Sequence, residues 1–468
     1  MERYKGLLLG LTTGFATAAG AQAADLPVAK AAPVEYVRVC STIGTGFFYI
    51  PGTETCLRVG GRVRAEYLYS STFGRAQDAT GFYTRGRIQL DARTMTAYGL
   101  LRSVVRFEIT RRSGSALNGF GGNAAVSNGI PLAGTIITSP QVAEAFIQFG
   151  GLTAGRVISF FSNSDLPTEH FGTLRFDDAP DVDLLAYTFS FGNGFSATLS
   201  IEDGLERRLA GFIPGGFAAN TLLYAGQRAP DLVGNIKYTG TWGTAQISGA
   251  VHQIRSLVLT NAVGGPIIYG PLVEGTIPDT EYGFAAAGYL SFNLPQLAPG
   301  DALWLAATYT NGALAYMNGG NSATAVDPNN QIGAAGAVGM VDAYINPITG
   351  DIKRGHGWSI AGGFRHYWTP QIRQSIFGSY MRVEYGAGAS TIVPAGFTTG
   401  LVDFNELRLG SNVIWSPVSG LDLGLEVIYA KLDPRGRVFV PSVIPGVPGT
   451  IEGSSHSWEG RLRVQRDF

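Results

Sequence analysis

Arginine is concentrated in three neighbouring stretches of the sequence, where it alternates with apolar residues. In "LRVGGRVRAEYLY", from 57 to 69, the alternation is nearly perfect. Because successive side chains of a β-strand point to opposite faces, this spacing predicts strands with one basic and one apolar face. A row of permanently charged guanidinium groups would attract and orient charged solutes. The residues with this pattern, including two from the last stretch of the chain, are Arg58, Arg62, Arg64, Arg85, Arg87, Arg93, Arg102, Arg106, Arg461 and Arg463.

The second charged feature is an acidic segment, "VISFFSNSDLPTEHFGTLRFDDAPDVD", from 157 to 183. Its carboxylates are Asp165, Glu169, Asp177, Asp178, Asp181 and Asp183. Opposite charges that face each other across a narrow gap set up a transverse field that orients polar solutes. That chemistry requires the segment to lie opposite the arginines. The alternative is an acidic loop on the outside of the protein.

Catalytic chemistry is poorly supported by the sequence. The five histidines fall in different segments without metal-ligand spacing. His170 beside Glu169 is the best candidate for a hydrolase site, but no nucleophile partner can be named for it. The net charge of −1 gives no argument for a nucleic-acid partner. We therefore predict a protein that is not an enzyme and that has no metal, no cofactor and no nucleic-acid partner.

The same two-residue alternation returns sixteen times, and most stretches have about the 9 to 11 residues that a tilted membrane strand needs. The weakest of these predicted strands are those that begin at 152 and 372. The predicted strands lie at about 57 to 69, 82 to 93, 101 to 109, 142 to 149, 152 to 158, 183 to 191, 195 to 202, 231 to 239, 244 to 252, 282 to 293, 301 to 309, 357 to 368, 372 to 385, 405 to 415, 421 to 430 and 458 to 468.

The connections between these strands alternate between short and long. Short ones such as "GNG" at 192 carry turn residues, whereas long ones occupy, for example, 112 to 141 and 310 to 356. Aromatic residues on the apolar face gather at strand ends, as at Tyr67 and Trp458. Short turns at one end, long loops at the other and two aromatic rings are typical of outer-membrane β-barrels. The sequence thus predicts an all-β, sixteen-stranded antiparallel transmembrane barrel over residues 57–468.

The first 56 residues predict export. Residues 1–23 combine two basic residues, an apolar stretch and a small-residue cleavage motif, which is the pattern of a signal peptide. Residues 24–56 would form a periplasmic segment, because an even number of strands brings both ends of the chain to one side. In an exported chain the two cysteines, Cys40 and Cys56, predict one disulfide. An exported chain with this alternation could also be a secreted, soluble β-rich binding protein.

Several stretches resemble the porins of alphaproteobacteria. They include "EYVRVCSTIGTGFFYIPGTETCLRVGGRVRAEY", "PDLVGNIKYTGTWGTAQISGAVH", "HYWTP", "GSNVIWSPVSGLDLGLEVIY" and "RLRVQRDF", so the resemblance covers essentially the whole exported chain. It implies a homotrimer of sixteen-stranded barrels in the Gram-negative outer membrane. It also implies that the third external loop folds into the lumen and narrows it, and that the terminal Phe468 marks the chain for the outer-membrane assembly machinery.

Together these features predict an outer-membrane porin for passive diffusion of small hydrophilic solutes and ions. The alternative within the same class is a substrate-specific channel. Since the last strand of a closed barrel pairs with the first, the arginines of both would form one basic lumen wall. We assign Asp165, Glu169, Asp177, Asp178 and Asp181 to the pore constriction. The basic lumen wall is assigned to Arg62, Arg64, Arg85, Arg87, Arg102, Arg106, Arg461 and Arg463.

Overall fold

In the computed structural model, the described residues are 38–72, 78–118, 136–209, 222–261, 266–267, 275–319, 338–347, 349–440 and 448–468. Within them, sixteen long strands form one sheet, and we number them in chain order. They are β1 Cys56–Ser70, β2 Thr80–Thr96, β3 Gly99–Ser113, β4 Ile136–Phe149, β5 Leu152–Ile158, β6 Asp181–Gly192, β7 Phe195–Glu202, β8 Asp231–Gly240, β9 Gly243–Ile254, β10 Glu281–Asn293, β11 Ala302–Asn311, β12 His356–Thr369, β13 Ile372–Glu384, β14 Phe404–Val418, β15 Leu421–Pro434 and β16 Ser455–Asp467.

The sheet closes on itself as an antiparallel barrel. Each strand pairs with the next in the chain, and β16 returns to β1 in a register that runs from Arg62 opposite Asp467 to Ser70 opposite Glu459. Closure removes the unpaired edges of the sheet. All sixteen predicted strands are confirmed, including those at 152 and 372. The predicted fold class is therefore confirmed.

The outer surface of the barrel is apolar. Val63, Phe82 and Ile88 are each more than half exposed, as are many residues at equivalent alternating positions. A wide apolar surface exposed to water would be very costly, whereas lipid tails solvate it. In the described residues, no helix is long and apolar enough to cross a membrane.

The connections differ at the two ends of the barrel, as the sequence predicts. Two residues each join β2 to β3, β4 to β5 and β8 to β9, whereas 22 residues, 159–180, join β5 to β6. We call this segment loop 3. Short elements occur within or beside the long connections: a helix at Ser115–Asn118, 3-10 turns at Gly204–Arg207 and Leu314–Met317, and strands at Leu259–Asn261, Pro266–Ile267, Gly275–Thr276, Ala343–Ile345, Ile352–Arg354, Ser390–Ile392, Thr398–Gly400, Val438–Val440 and Thr450–Glu452.

The segment before β1 is anchored to the first strand. A disulfide joins Cys40 to Cys56, and Phe48 and Tyr49 pair with the start of β1. The predicted disulfide is thus confirmed. The predicted signal peptide, 1–23, lies outside the described residues, and the periplasmic position of 24–56 stays a prediction.

The largest buried apolar cluster lies on one side of the barrel wall. It joins inward-facing residues of β10 to β13, such as Trp304 and Phe377, to Phe161 and Phe176 of loop 3. It also includes Leu314–Met317, which is almost completely buried. The inner face of the barrel is therefore apolar on this side and charged on the side of β1 to β3 and β16.

Candidate pore lining and constriction

The eight arginines assigned to the basic wall all lie on the inner face of β1, β2, β3 and β16. Their side chains are between 7% and 26% exposed, and they alternate with lipid-facing apolar residues on the same strands. Pairing of β1 with both β2 and β16 places Arg64 opposite Arg85 on one side and opposite Gln465 on the other. Strand alternation together with closure thus brings the predicted arginines together on one continuous surface.

Carboxylates are interleaved with these arginines, and each of them serves several guanidinium groups. Asp91 accepts hydrogen bonds from Arg93 at 2.8 Å and from Arg102 at 3.0 Å. Glu108 lies 2.5 Å from Arg87 and 3.3 Å from Arg85.

Glu66 likewise contacts more than one guanidinium group at the seam of the barrel, where β1 pairs with β16. It accepts a hydrogen bond from Nε of Arg463 at 2.6 Å and lies 3.5 Å from Arg461. Glu66, Asp91 and Glu108 occupy the same alternating positions as the arginines, so the sequence carried the signal that this wall is a network of mixed sign.

Loop 3 is hydrogen-bonded to inward-facing side chains of strands that are far apart in the sequence. At its start, Asn235 of β8 donates to the carbonyl of Phe160 at 2.6 Å. Further along, the backbone N–H groups of Phe171 and Gly172 donate to Glu426 of β15 at 2.6 and 2.7 Å. The loop therefore reaches from β8 to β15.

A buried ion pair fixes the second half of loop 3. Arg175, whose side chain is 1% exposed, donates to Glu406 of β14 at 2.7 and 3.0 Å. Arg408 shares the same carboxylate at 2.5 Å and donates to the carbonyl of Thr173 at 2.9 Å. Charges this deeply buried are tolerated only when they are paired and hydrogen-bonded. Sequence reasoning missed this group, because Arg175 lies 231 residues before Glu406 in the sequence.

The carboxylates assigned to the constriction have separate partners. Asp165 lies 2.7 Å from Lys237, Glu169 lies 2.9 Å from Arg373, and Asp177 lies 2.5 Å from Arg207. These partners are on β8, on β13 and just after β7, away from the predicted basic wall. The structure thus places three of the five carboxylates beside other cations.

Asp181 and Asp178 have different surroundings. Asp181 lies 2.9 Å from Arg106 and is the assigned carboxylate that contacts the predicted wall. Asp178 lies 3.5 Å from His170, whose Nδ1 is 2.6 Å from the carbonyl of Gly172. Burial raises the pKa of the Asp178 carboxyl above its ordinary value, although His170 opposes the shift. His170 and Glu169 therefore contact different partners, Asp178 and Arg373 respectively.

Phe171 of loop 3 contacts the arginines of β16. Its ring lies 3.7 Å from the guanidinium carbon of Arg463, and its carbonyl accepts a hydrogen bond from Arg461 at 3.1 Å. A guanidinium group stacked on an aromatic face is stabilised by the negative face of the ring. An aromatic residue, rather than a carboxylate, is thus the contact between loop 3 and β16.

Phe468 extends the seam between β1 and β16 by one residue. Its backbone N–H donates to the carbonyl of Gly61 at 3.1 Å, and its own carbonyl accepts from the N–H of Gly61 at 2.9 Å. The ring of Phe468 covers Gly61 so closely that no larger side chain fits at this position. In the described part of the chain, no cluster of His, Cys, Asp or Glu could hold a metal ion.

A closed sixteen-stranded barrel with an apolar outer surface and a charged inner wall defines an outer-membrane channel protein of Gram-negative bacteria. The chain belongs to the porin subfamily, whose family model matches residues 25–447. It is similar to porin Omp2b of Brucella abortus (strain 2308) and of Brucella suis biovar 1 (strain 1330), with 36% identity over 319 residues, which is 63% of this chain and 82% of either relative. The resemblance to alphaproteobacterial porins is confirmed, and the chain is an outer-membrane porin.

The fold is shared with a more distant solved structure, the outer membrane channel DcaP of Acinetobacter baumannii. That structure has a TM-score of 0.56 and 16% sequence identity, and the match covers 90% of this chain and 99% of that chain. At this identity the likeness shows the barrel fold alone.

Proposed function

We propose that this porin admits small hydrophilic solutes and ions by passive diffusion, without catalysis, and that loop 3 lies inside the barrel as its constriction. The bonds from loop 3 to Asn235, Glu406 and Glu426 carry the proposal, because these side chains project from the inner wall on separate strands. Loop 3 and Leu314–Met317 would then fill the side of the lumen next to β10 to β13. The passage would run along the basic wall.

The test is electrical conductance in a planar lipid bilayer, together with swelling of liposomes in neutral sugars of graded size. A diffusion pore should give a conductance that rises in proportion to salt concentration and a swelling rate that falls smoothly with sugar size. Saturation by one particular solute would instead indicate a substrate-specific channel. Absence of any channel from correctly folded protein would refute the proposal.

We infer further that the chain assembles as a homotrimer through outer-membrane machinery that recognises Phe468. Membership of the porin subfamily supports the trimer, and the exposure of Phe468, 66% for the whole residue, supports its recognition. We expect Phe468→Ala to lower the yield of heat-modifiable trimer on unboiled gels while leaving the conductance of assembled trimers unchanged. Wild-type trimer yield in the variant would argue against this role.

A further inference from the structure

The basic wall and the tip of loop 3 enclose a small cavity. Its volume is about 100 Å³, and it lies between β1, β2, β3, β16 and Phe171. Five arginines line it, but only one carboxylate does, and the rings of Tyr83 and Phe171 complete its sides. The charged lining residues are Arg64, Arg85, Arg112, Arg461, Arg463 and Glu66.

The carboxylates around this cavity do not use all the hydrogen-bond donors of its arginines. Glu66 is shared among Arg463 at 2.5 Å, Arg461 at 3.5 Å and Arg64 at 3.9 Å. Glu459, outside the lining, lies 2.5 Å from Arg461. Glu108, just outside the cavity, lies closer to Arg87 than to Arg85. Nε of Arg85 is buried and donates to no group in the described residues. Because each guanidinium carries five donors and a carboxylate accepts about four bonds, the cavity has donors in excess.

Aromatic rings hold the guanidinium groups in fixed planes. Arg85 and Arg112 lie 5.3 and 5.1 Å from the centre of the Tyr83 ring, and Arg463 lies 3.7 Å from that of Phe171. Stacking of this kind orients a guanidinium without neutralising its charge. Groups that are already ordered lose little entropy when they bind a ligand.

We propose that this cavity is a binding site, within the proposed diffusion pore, for a small tetrahedral oxyanion such as the phosphate group of a passing solute. The planar donor fork of arginine matches the oxygens of phosphate. Guanidinium groups converge here from four strands, and the four oxygens of phosphate can accept from more of them than the two oxygens of a carboxylate. The volume admits one such group and leaves the remainder of the solute in the passage.

Inorganic phosphate is the probe, added to wild-type porin in a planar bilayer that conducts chloride at constant ionic strength. We expect phosphate to reduce the chloride current and the effect to saturate. The variants Arg64→Gln and Arg85→Gln should each raise the half-blocking phosphate concentration about tenfold, which corresponds to about 1.4 kcal/mol. Both variants should fold, because Glu66 keeps Arg461 and Arg463 and Glu108 keeps Arg87.

The matched control is Arg382→Gln, which removes the same charge from a side chain 45% exposed and paired with Glu384. Its half-blocking concentration should equal that of the wild type, and heat-modifiable migration on gels checks the folding of every variant. Equal blocking of all four proteins, or a phosphate effect that does not saturate, would overturn the proposed site. Failure of the wild type to form channels would instead contradict the diffusion pore itself.

Discussion

The two sides of the barrel interior are built on one strand pattern but have opposite chemistry. On β1 to β3 and β16, the inward residues are arginines with interleaved carboxylates. The arginine side chains keep partial exposure, whereas Glu66 and Glu108 are only 2% exposed. On β10 to β13 the inward residues are mostly small or apolar, such as Ala285, Ala306 and Phe377, and they are less than 6% exposed. One side presents charge to solvent, whereas the other packs as a protein core does.

The proposed constriction would narrow the passage of this sixteen-stranded barrel by filling its apolar side. A barrel of this size is wide enough to hold an aqueous channel. Here the apolar side packs against Phe161 and Phe176 of loop 3 and against Leu314 and Tyr316. Loop 3 and Leu314–Met317 therefore stabilise each other. The proposed constriction depends on this apolar packing as much as on the charged residues of β1 to β3 and β16.

The largest effect should come from breaking the buried ion pair that fixes loop 3. We expect Glu406→Ala to reduce stability by about 3–5 kcal/mol, because it leaves Arg175 and Arg408 buried without their shared carboxylate. The measurement is the temperature at which the folded band disappears from unboiled gels. Glu384→Ala is the matched control: its partner Arg382 is exposed, so the loss should be at most about 1 kcal/mol. Equal shifts of this temperature in the two variants would show that the buried pair at Glu406 stabilises the protein no more than the exposed pair at Glu384 does.

A second experiment compares the access of water to the two sides. The only two cysteines of the chain form a disulfide, so a new cysteine supplies the only free thiol. Ser359 on β12 is 1% exposed, whereas Gln89 on β2 lines a cavity of about 430 Å³ in the basic wall. A membrane-impermeant thiol reagent should modify Gln89→Cys roughly 100-fold faster than Ser359→Cys. The reagent can reach the buried thiol at 359 only after local opening of the structure, which costs a free energy of about 3 kcal/mol. Similar rates would mean that both sides are open to water.

The sequence was sufficient for the strands because they follow from a local period of two. The same period predicts the inward-facing arginines, and their role as the wall of the pore stays a prediction. Alternation identified the strands, and closure then placed Arg463 directly opposite Glu66. The apolar side could not be recognised in this way. In "EYGFAAAGYLSFN" both faces are apolar or small, so nothing local distinguishes the buried Ala285 from its exposed neighbour Ala286.

The positions of the loop 3 carboxylates could not be predicted either. The cations beside Asp165, Glu169 and Asp177 follow their carboxylates in the sequence by 30 to 204 residues. Which cation pairs with each carboxylate depends on how the loop packs in three dimensions, and the charge composition of the sequence does not determine that packing. Asp177 illustrates the consequence: it is fully buried against Arg207, so its charge is compensated within the protein.

The smallest expected effect concerns ion selectivity. It compares the contributions of Asp178 and Asp177 to the reversal potential. Neutralising both residues should shift the reversal potential toward anions. Since Asp177 is paired with Arg207 and Asp178 is more accessible, we expect Asp178→Asn alone to give most of this shift, by a few millivolts in a salt gradient. Asp177→Asn is the matched control with the same change of charge. A larger shift from Asp177→Asn would reverse the assignment.

The pH dependence of the reversal potential also distinguishes Asp178 from Asp177. The pKa of Asp178 is raised by burial, so this carboxyl takes up a proton at a pH above the ordinary carboxyl range of about 4. If loop 3 lies in the passage as proposed, protonation of Asp178 removes a negative charge there, and acidification should therefore move the reversal potential of the wild type toward anions. Asp178→Asn should lack this step, whereas Asp177→Asn should retain it. If both variants retain the step, its origin lies in another group, and Asp178 has no part in the selectivity of the channel.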